Sequence, residues 1–414
     1  MHVLYILGQS SGGLPHYTAE LANAVATEHD VTVMKPTTTS ADDLFAEHVE
    51  LLEPFEPLSV SMPALYRREV SPIDFARGFL SYDRVKDALD VDPDLVHETS
   101  GLFPQVQLFT HLHGIDSLPF VVTRHEVPLR RFQVRRPSLC VEELLRLAIP
   151  TPDMDATIVH TKNQRDALLR HGMDSDDVTV IPHGAYQVFG DYDDIAPEPD
   201  SNVVLFFGHV VPQKGIDTLI EAIPIVAETV PDVTLLVAGD GRIPSDVRPT
   251  VDEHSEHYDI NTEYVPNDRV SKCFERASVV ALPYREQEGG TKGHSGALAT
   301  AISFGKPVVS SRAGEFPELV GDRGCGLTVP SGDPERLAAV ITDLLTDDAR
   351  RRGMAANSRA LATELSWDRI ADRHVSLYEA VLSEGRPATE KSRSDDHPAR
   401  EPLPTDDGPA IDHS

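Results

Sequence analysis

Short apolar runs alternate with amphipathic stretches along most of the chain. The first cycle is an apolar run from His2 to Leu7, a glycine-containing turn, and a stretch from Leu14 to Glu28 whose apolar residues recur at helical spacing. Further runs of this kind, each predicted to be a buried strand, are Asp30 to Met34, Asp94 to His97, Pro119 to Thr123, Ala156 to His160 and Val178 to Pro182. This alternation predicts a parallel, doubly wound α/β sheet.

A stretch rich in Asp and Pro, residues 186–201, interrupts the alternation and is predicted to be an interdomain linker. The alternation resumes afterwards with strands at Val203 to Phe207, Thr234 to Ala238, Ser278 to Leu282, Pro307 to Val309 and Cys325 to Val329, and with helices between several of them. The pattern therefore predicts a first α/β domain over residues 1–185 and a second over residues 202–367.

The last ordered element is predicted to be an amphipathic helix over residues 368–383. Residues 384–414 are rich in Asp, Pro and Gly, and they contain too little apolar area to offset the entropy of ordering. We expect this acidic tail to be disordered.

One glycine-dense loop is a candidate ligand-binding segment. It follows the strand that ends at Leu282 and precedes a helix predicted from Gly296 to Phe304. Phosphates bind at such places because free backbone N–H groups and the helix dipole favour negative charge. The same pattern also fits an ordinary loop between a strand and a helix.

The turn after the first strand also contains adjacent glycines, Gly12 and Gly13. It matches neither the Gly-x-Gly-x-x-Gly fingerprint nor a Walker loop, so the sequence does not predict a dinucleotide or ATP site here. The two glycines either let the backbone approach a ligand closely or simply form a tight turn.

The net charge of the chain indicates which partners and which environment suit the protein. A formal net charge of -30 and a pI near 4.9 argue against nucleic acid as a partner, since no basic face is available to displace counterions. Acidic residues are spread over nearly every segment, which suits a halophilic protein in concentrated salt or an acidic mesophilic one. We favour the halophilic interpretation.

Composition also indicates the compartment. No apolar segment approaches the ~20 residues that span a bilayer, and the chain starts with a strand, so we expect a cytoplasmic protein. Cys140, Cys273 and Cys325 are far apart and odd in number, which predicts neither a disulfide framework nor a metal site. Asp-x-Asp pairs are expected by chance in so acidic a chain, and we predict no metal cofactor.

The order of several motifs resembles that of GT-B glycosyltransferases, in particular the retaining family 4, or group 1, type. The motifs are Gly12-Gly13, Arg124-His125-Glu126, Val180-Ile-Pro-His-Gly184, Phe206-Phe-Gly208, Lys214-Gly215, Ala238-Gly-Asp-Gly241, Ser295-Gly296 and Gly305-Lys-Pro-Val308. The resemblance implies two Rossmann-like domains facing a cleft, with the last helix crossing back to the first domain. It also implies a hexosyltransferase that takes a nucleoside-diphosphate sugar as co-substrate and a glycan or lipid-linked acceptor, with peripheral contact at the inner face of the membrane.

The resemblance assigns roles to individual residues. Lys214 matches the family's diphosphate-binding Lys, and a cation there would neutralise the charge that grows on the leaving group. His125 matches the His near the transferred sugar. The donor-binding residues would be Gly12, Gly13, Gly208, His209, Gly239, Gly241, Glu288, Ser295, Gly296, Ala297, Leu298 and Thr300.

The sequence departs from the family at its paired Glu signature. Alignment on the segment that begins at Gly305 puts Lys292 and Thr300 where the two Glu residues would stand. Glu288 could replace the first through a shifted loop, and Thr300 could form one hydrogen bond to a ribose hydroxyl. Two alternatives therefore stay open: a nucleotide-sugar 2-epimerase on the same fold, and a non-catalytic sugar-nucleotide-binding partner of another transferase.

Overall fold

The computed structural model describes residues 1–58, 71–101, 103–127, 152–189, 202–286 and 293–384. They form two parallel sheets, one of seven strands and one of six, with helices on both faces of each. The predictions made for Glu288, for most of the linker and for the tail beyond Glu384 lie outside the described residues.

The first sheet has the strand order β3-β2-β1-β4-β5-β6-β7. Its strands are β1 His2–Ile6, β2 Asp30–Pro36, β3 Glu50–Phe55, β4 Leu95–Glu98, β5 Phe120–Arg124, β6 Ala156–Val159 and β7 Val178–Val180. The helices of this part of the chain are α1 Gly13–Val25, α2 Pro72–Ser81, α3 Ala88–Val91, α4 Pro104–Leu112 and α5 Lys162–Arg170.

The second sheet has the order β10-β9-β8-β11-β12-β13. Its strands are β8 Val203–Phe207, β9 Thr234–Ala238, β10 Tyr258–Asn261, β11 Val279–Leu282, β12 Val308–Ser311 and β13 Gly326–Val329. The helices are α6 Ile216–Ala227, α7 Arg248–Glu253, α8 Asn267–Arg276, α9 Gly296–Ser303, α10 Pro334–Thr346, α11 Asp348–Glu364 and α12 Trp367–Glu384.

Each sheet has a hydrophobic core on both faces. In β1, Val3 and Tyr5 belong to one core while Leu4 and Ile6 belong to the other, and all four are 0% exposed. Burial on both faces requires a continuous apolar run, which is why the strand could be recognised from the sequence. The predicted doubly wound, two-domain α/β architecture is confirmed.

Helix α12 crosses back to the first domain, as predicted. Trp367, Ile370 and Tyr378 are buried in the core that includes β1. The Tyr378 hydroxyl lies 2.6 Å from Nδ1 of His97 in β4, which fixes the helix by a polar contact as well as by packing. Within the described ranges, no helix combines the length and the apolar character needed to cross a membrane.

Candidate active site between the two domains

The carboxyl ends of the strands in the two sheets meet at the interface between the domains. The Nε2 atom of His16 in α1 lies 3.1 Å from Oδ1 of Asn267 in α8, and the rings of His183 and His294 stack across the interface. Ligands of open parallel sheets bind outside the carboxyl ends of the strands. This interface is therefore the candidate ligand site.

Gly12 and Gly13 form the turn between β1 and α1. The Gly12 carbonyl accepts a hydrogen bond from the Ser40 hydroxyl, 3.1 Å away. The Gly13 carbonyl accepts one from the Tyr186 hydroxyl, also at 3.1 Å, and the Tyr186 ring stands against Gly296 at the start of α9. The turn thus faces the glycine-rich segment of the second domain, with Tyr186 between them.

His125, the predicted catalytic histidine, follows β5 and has both ring nitrogens occupied. Nε2 lies 2.8 Å from the Thr99 carbonyl oxygen, and Nδ1 lies 3.1 Å from Nε2 of His160. Burial lowers the pKa of His125 to about 4, because the interior does not solvate the imidazolium. The neutral ring is therefore the form present at physiological pH.

When His125 and His160 are both neutral, no proton lies between Nδ1 of His125 and Nε2 of His160. The carbonyl of Thr99 requires an N–H from His125, and the carbonyl of Ile181 requires one from Nδ1 of His160, 3.0 Å away. Each neutral imidazole has a single N–H, so two lone pairs face each other between the rings. An added proton would form a hydrogen bond between the two rings. This bond favours the protonated pair, whereas burial lowers the pKa values of His125 and His160.

A second histidine pair crosses the interface itself, and no motif predicted a role for either residue. His183 follows β7, His294 precedes α9, and their ring centroids are 3.9 Å apart with an angle of 12° between the planes. Nδ1 of His294 lies 2.7 Å from Oε2 of Glu315, and these side chains are 5% and 3% exposed. Together with His160, 6.0 Å from His294 between ring centroids, the histidines form a continuous buried cluster.

The amino terminus of α9 is only partly available to a phosphate. The N–H of Ser295 donates to Oε1 of Glu315 at 2.7 Å, and the N–H of Leu298 donates to the Ser295 hydroxyl at 3.3 Å. Gly296 and Ala297 occupy the first two helical positions, where backbone N–H groups have no acceptor within the helix. Of the predicted phosphate-binding segment, these two N–H groups are the ones left for an anion.

Thr300 lies one turn further along α9 and is 1% exposed. Its hydroxyl donates to the Gly296 carbonyl at 2.8 Å, a bond within the helix. The hydroxyl proton is thus used locally, and the oxygen retains only acceptor capacity towards a ligand.

Lys214, the predicted diphosphate-binding cation, lies at the end of a short 3₁₀ turn after β8. Its Nζ atom stands 3.7 Å from the centroid of the Tyr284 ring, and the Tyr284 hydroxyl lies 2.8 Å from the Ser295 hydroxyl. The next residue, Gly215, has φ +69°, and a Cβ atom there would overlap the carbonyl oxygen of Pro283. The glycine permits the close approach that places the cation beside the α9 terminus.

The remaining predicted donor-binding residues of the second domain form adjacent turns after β8 and β9. The N–H of Gly208 donates to the Ala238 carbonyl at 3.0 Å. Nδ1 of His209 lies 2.5 Å from Oδ1 of Asp240, and both side chains are about half exposed. The flanking glycines of this second turn are Gly239 and Gly241. A carboxylate thus accompanies His209.

The structure brings His125, Lys214 and the α9 terminus to one interface and adds a group of residues that sequence reasoning missed. The added residues are His160, His183, Tyr284, His294 and Glu315. His183 and His294 stand inside or next to quoted motifs, so the surplus of histidines beside them was the available signal. Among the described residues, no group of three or more His, Cys, Asp or Glu side chains is placed to hold a metal ion.

Two facing Rossmann-like domains with a returning carboxyl-terminal helix define the GT-B class of glycosyltransferase fold. The structure is similar to the sucrose-phosphate synthase of Thermosynechococcus elongatus, with a TM-score of 0.69 and 19% identity, covering 93% of this chain and 100% of that one. It is also similar to HepE of Anabaena in complex with UDP, with a TM-score of 0.65 and 18% identity, covering 92% of this chain and 100% of that one.

The family follows from the sequence comparisons. The model for Glycosyltransferase Family 4 matches residues 11–185, and the model for Glycosyl transferases group 1 matches residues 201–347. The chain belongs to the family 4, group 1 glycosyltransferases.

Curated relatives are similar over part of their length. A D-inositol 3-phosphate glycosyltransferase of Segniliparus rotundus is 31% identical over 45% of this chain and 42% of its own. A GDP-mannose-dependent monoacylated alpha-(1-6)-phosphatidylinositol monomannoside mannosyltransferase of Corynebacterium glutamicum is 30% identical over 43% of this chain and 47% of its own. The chain thus spans about half the length of these relatives.

Proposed function

We propose that the protein is a hexosyltransferase that moves a sugar from a nucleoside-diphosphate sugar to a glycan or lipid-linked acceptor, with retention at the anomeric carbon and without a metal cofactor. The observation that carries the proposal is the position of Lys214 beside the amino terminus of α9, facing the His125 cluster of the other domain. The family and the named activities of the relatives support it.

The residues of this chain would divide the work as follows. The N–H groups of Gly296 and Ala297 bind the diphosphate, and the Lys214 ammonium neutralises charge as the bond from the anomeric carbon to the phosphate oxygen breaks. The acceptor oxygen forms its new bond on the face that the diphosphate leaves, and the acceptor proton passes to the leaving phosphate. The neutral, buried His125 lines the sugar side and is held in place by the Thr99 carbonyl, which accepts its Nε2–H.

Peripheral contact with a membrane surface forms part of the proposal only for a lipid-linked acceptor. The curated mannosyltransferase relative carries a phosphatidylinositol mannoside in its name, which supports testing such acceptors first. Inositol phosphates, phosphatidylinositol and polyprenyl-phosphate sugars make up the acceptor panel.

The test has two stages. A thermal-shift screen against UDP-, GDP- and ADP-sugars identifies the donor, and mass spectrometry then follows transfer to the acceptor panel with and without EDTA. We expect transfer that EDTA leaves unchanged, and NMR coupling of the product's anomeric proton should report retention. An epimerised donor in the absence of acceptor would select the 2-epimerase instead, and binding without turnover on any acceptor would select the non-catalytic partner.

A further inference from the structure

His294 has a ring nitrogen whose partner is missing from the described part of the chain. Its Nδ1 is committed to Glu315 at 2.7 Å, while its Nε2 is buried and has no hydrogen-bond partner among the described residues. The side chain is only 5% exposed. Buried polar atoms are rarely left unsatisfied, and an orphan at a domain interface points to a ligand that supplies the bond.

The other histidines of the cluster are less suited to bind a ligand through a ring nitrogen. His125 and His160 each have both ring nitrogens in contact with a partner. His183 uses Nδ1 on the Gly184 carbonyl at 2.6 Å and presents its ring face to His294. His294 is therefore the histidine of this cluster whose free nitrogen is both buried and held in a fixed direction.

Glu315 fixes the orientation of the His294 ring. Its carboxylate receives the Ser295 N–H on Oε1 and the His294 ring on Oε2, so both oxygens are fixed and the side chain is 3% exposed. A carboxylate that holds one imidazole nitrogen sets the tautomer and leaves the other nitrogen directed at a substrate. The stacked ring of His183 limits rotation of the imidazole from the opposite domain.

We propose that His294 binds a hydroxyl group of the transferred sugar through Nε2, with Glu315 as its positioning residue. The proposal rests on the proposed function and names a residue that contributes to donor recognition in place of the carboxylate absent at position 292. A sugar hydroxyl fits better than a phosphate, because Nδ1 of His294 donates its proton to Glu315 and leaves Nε2 as an acceptor, which an O–H donor satisfies and an ionised phosphate oxygen does not. The diphosphate is proposed to bind separately, at Lys214 and the α9 terminus.

The test compares two affinities for each variant by calorimetry: one for the nucleoside diphosphate and one for the matching nucleotide sugar. His294→Phe keeps an aromatic ring against His183 and removes the nitrogen, so nucleotide-sugar affinity should fall roughly tenfold while diphosphate affinity stays unchanged. His294→Gln, which retains a polar end group, should recover part of the loss. His48→Phe, an exposed histidine of the first domain, is the matched control.

Glu315→Gln probes positioning. The amide oxygen can still accept one of the two hydrogen bonds, so we expect a smaller, sugar-selective loss and an unchanged diphosphate affinity. Equal affinities of His294→Phe and the wild type for the nucleotide sugar would overturn the proposal, as would an equal loss for both ligands. If the wild type bound neither ligand, the proposed function would fail first, and the result would differ from either of those outcomes.

Discussion

The substitution that tests the site most directly is Lys214→Ala. The ammonium is partly buried and stands 3.7 Å from the Tyr284 ring centroid, beside the α9 terminus where the diphosphate is proposed to bind. At ~4 Å and an effective dielectric constant of about 20, two unit charges attract by about 4 kcal/mol. The diphosphate gains further negative charge as the bond breaks, and the attraction to that added charge acts only in the transition state.

Loss of the cation should therefore cost on the order of 3 kcal/mol, which is a hundredfold or more in turnover. Initial rates at saturating donor and acceptor, measured by release of the nucleoside diphosphate, give kcat, and calorimetry gives the donor affinity. We expect kcat to fall far more than affinity. Lys272→Ala removes an exposed cation from α8 of the same domain and serves as the matched control.

A companion variant, Tyr284→Phe, separates the two roles of Tyr284. The phenyl ring keeps the surface under the Lys214 ammonium, whereas the hydroxyl contact with Ser295 is lost. We expect a several-fold effect at most. Turnover of Lys214→Ala within threefold of Lys272→Ala would refute the reasoning, and a loss confined to donor affinity would reduce Lys214 to a binding residue.

Three further predictions concern stability. Burial raises the pKa of Glu20 from 4.5 to about 7, so the free energy of unfolding should fall by up to about 3 kcal/mol as the pH rises from 4.5 to above 7. Urea titrations at pH 5 and pH 8 should show this loss in the wild type and not in Glu20→Gln. An equal change with pH in both proteins would contradict the prediction. A Cβ atom on Gly184 would overlap the Trp367 ring, so Gly184→Ala should lower stability by about 1–3 kcal/mol, whereas Gly353→Ala, with open space around it, should not. With a net charge of -30, urea midpoints should rise between dilute buffer and molar KCl, and a flat response would remove the basis for the halophilic interpretation.

The sequence alone determined the architecture, because strands buried on both faces must be continuously apolar. It did not determine one edge strand of each sheet, β3 and β10, whereas the opposite edge strands, β7 and β13, were predicted. β3, Glu50–Phe55, contains a proline and has one buried residue, and β10, Tyr258–Asn261, has none. Edge strands face solvent on one side and carry a weaker apolar signal, and proline is tolerated there. Helix α11, Asp348–Glu364, was also not predicted, because it is mostly polar and lacks a clear apolar stripe.

The sequence also located much of the candidate site, since glycine-rich turns after strands mark the carboxyl edge of a parallel sheet. Only the tertiary structure brought His160, His183, His294 and Glu315 together, from separate segments of both domains. Their contacts depend on how the two sheets face each other and on the path of each loop. No local spacing encodes such contacts, because the partners are far apart in the sequence: 111 positions for His183 and His294, and 134 positions for His160 and His294. The hydrophobic pattern fixes which strands form, and the packing of one domain against the other decides which side chains meet.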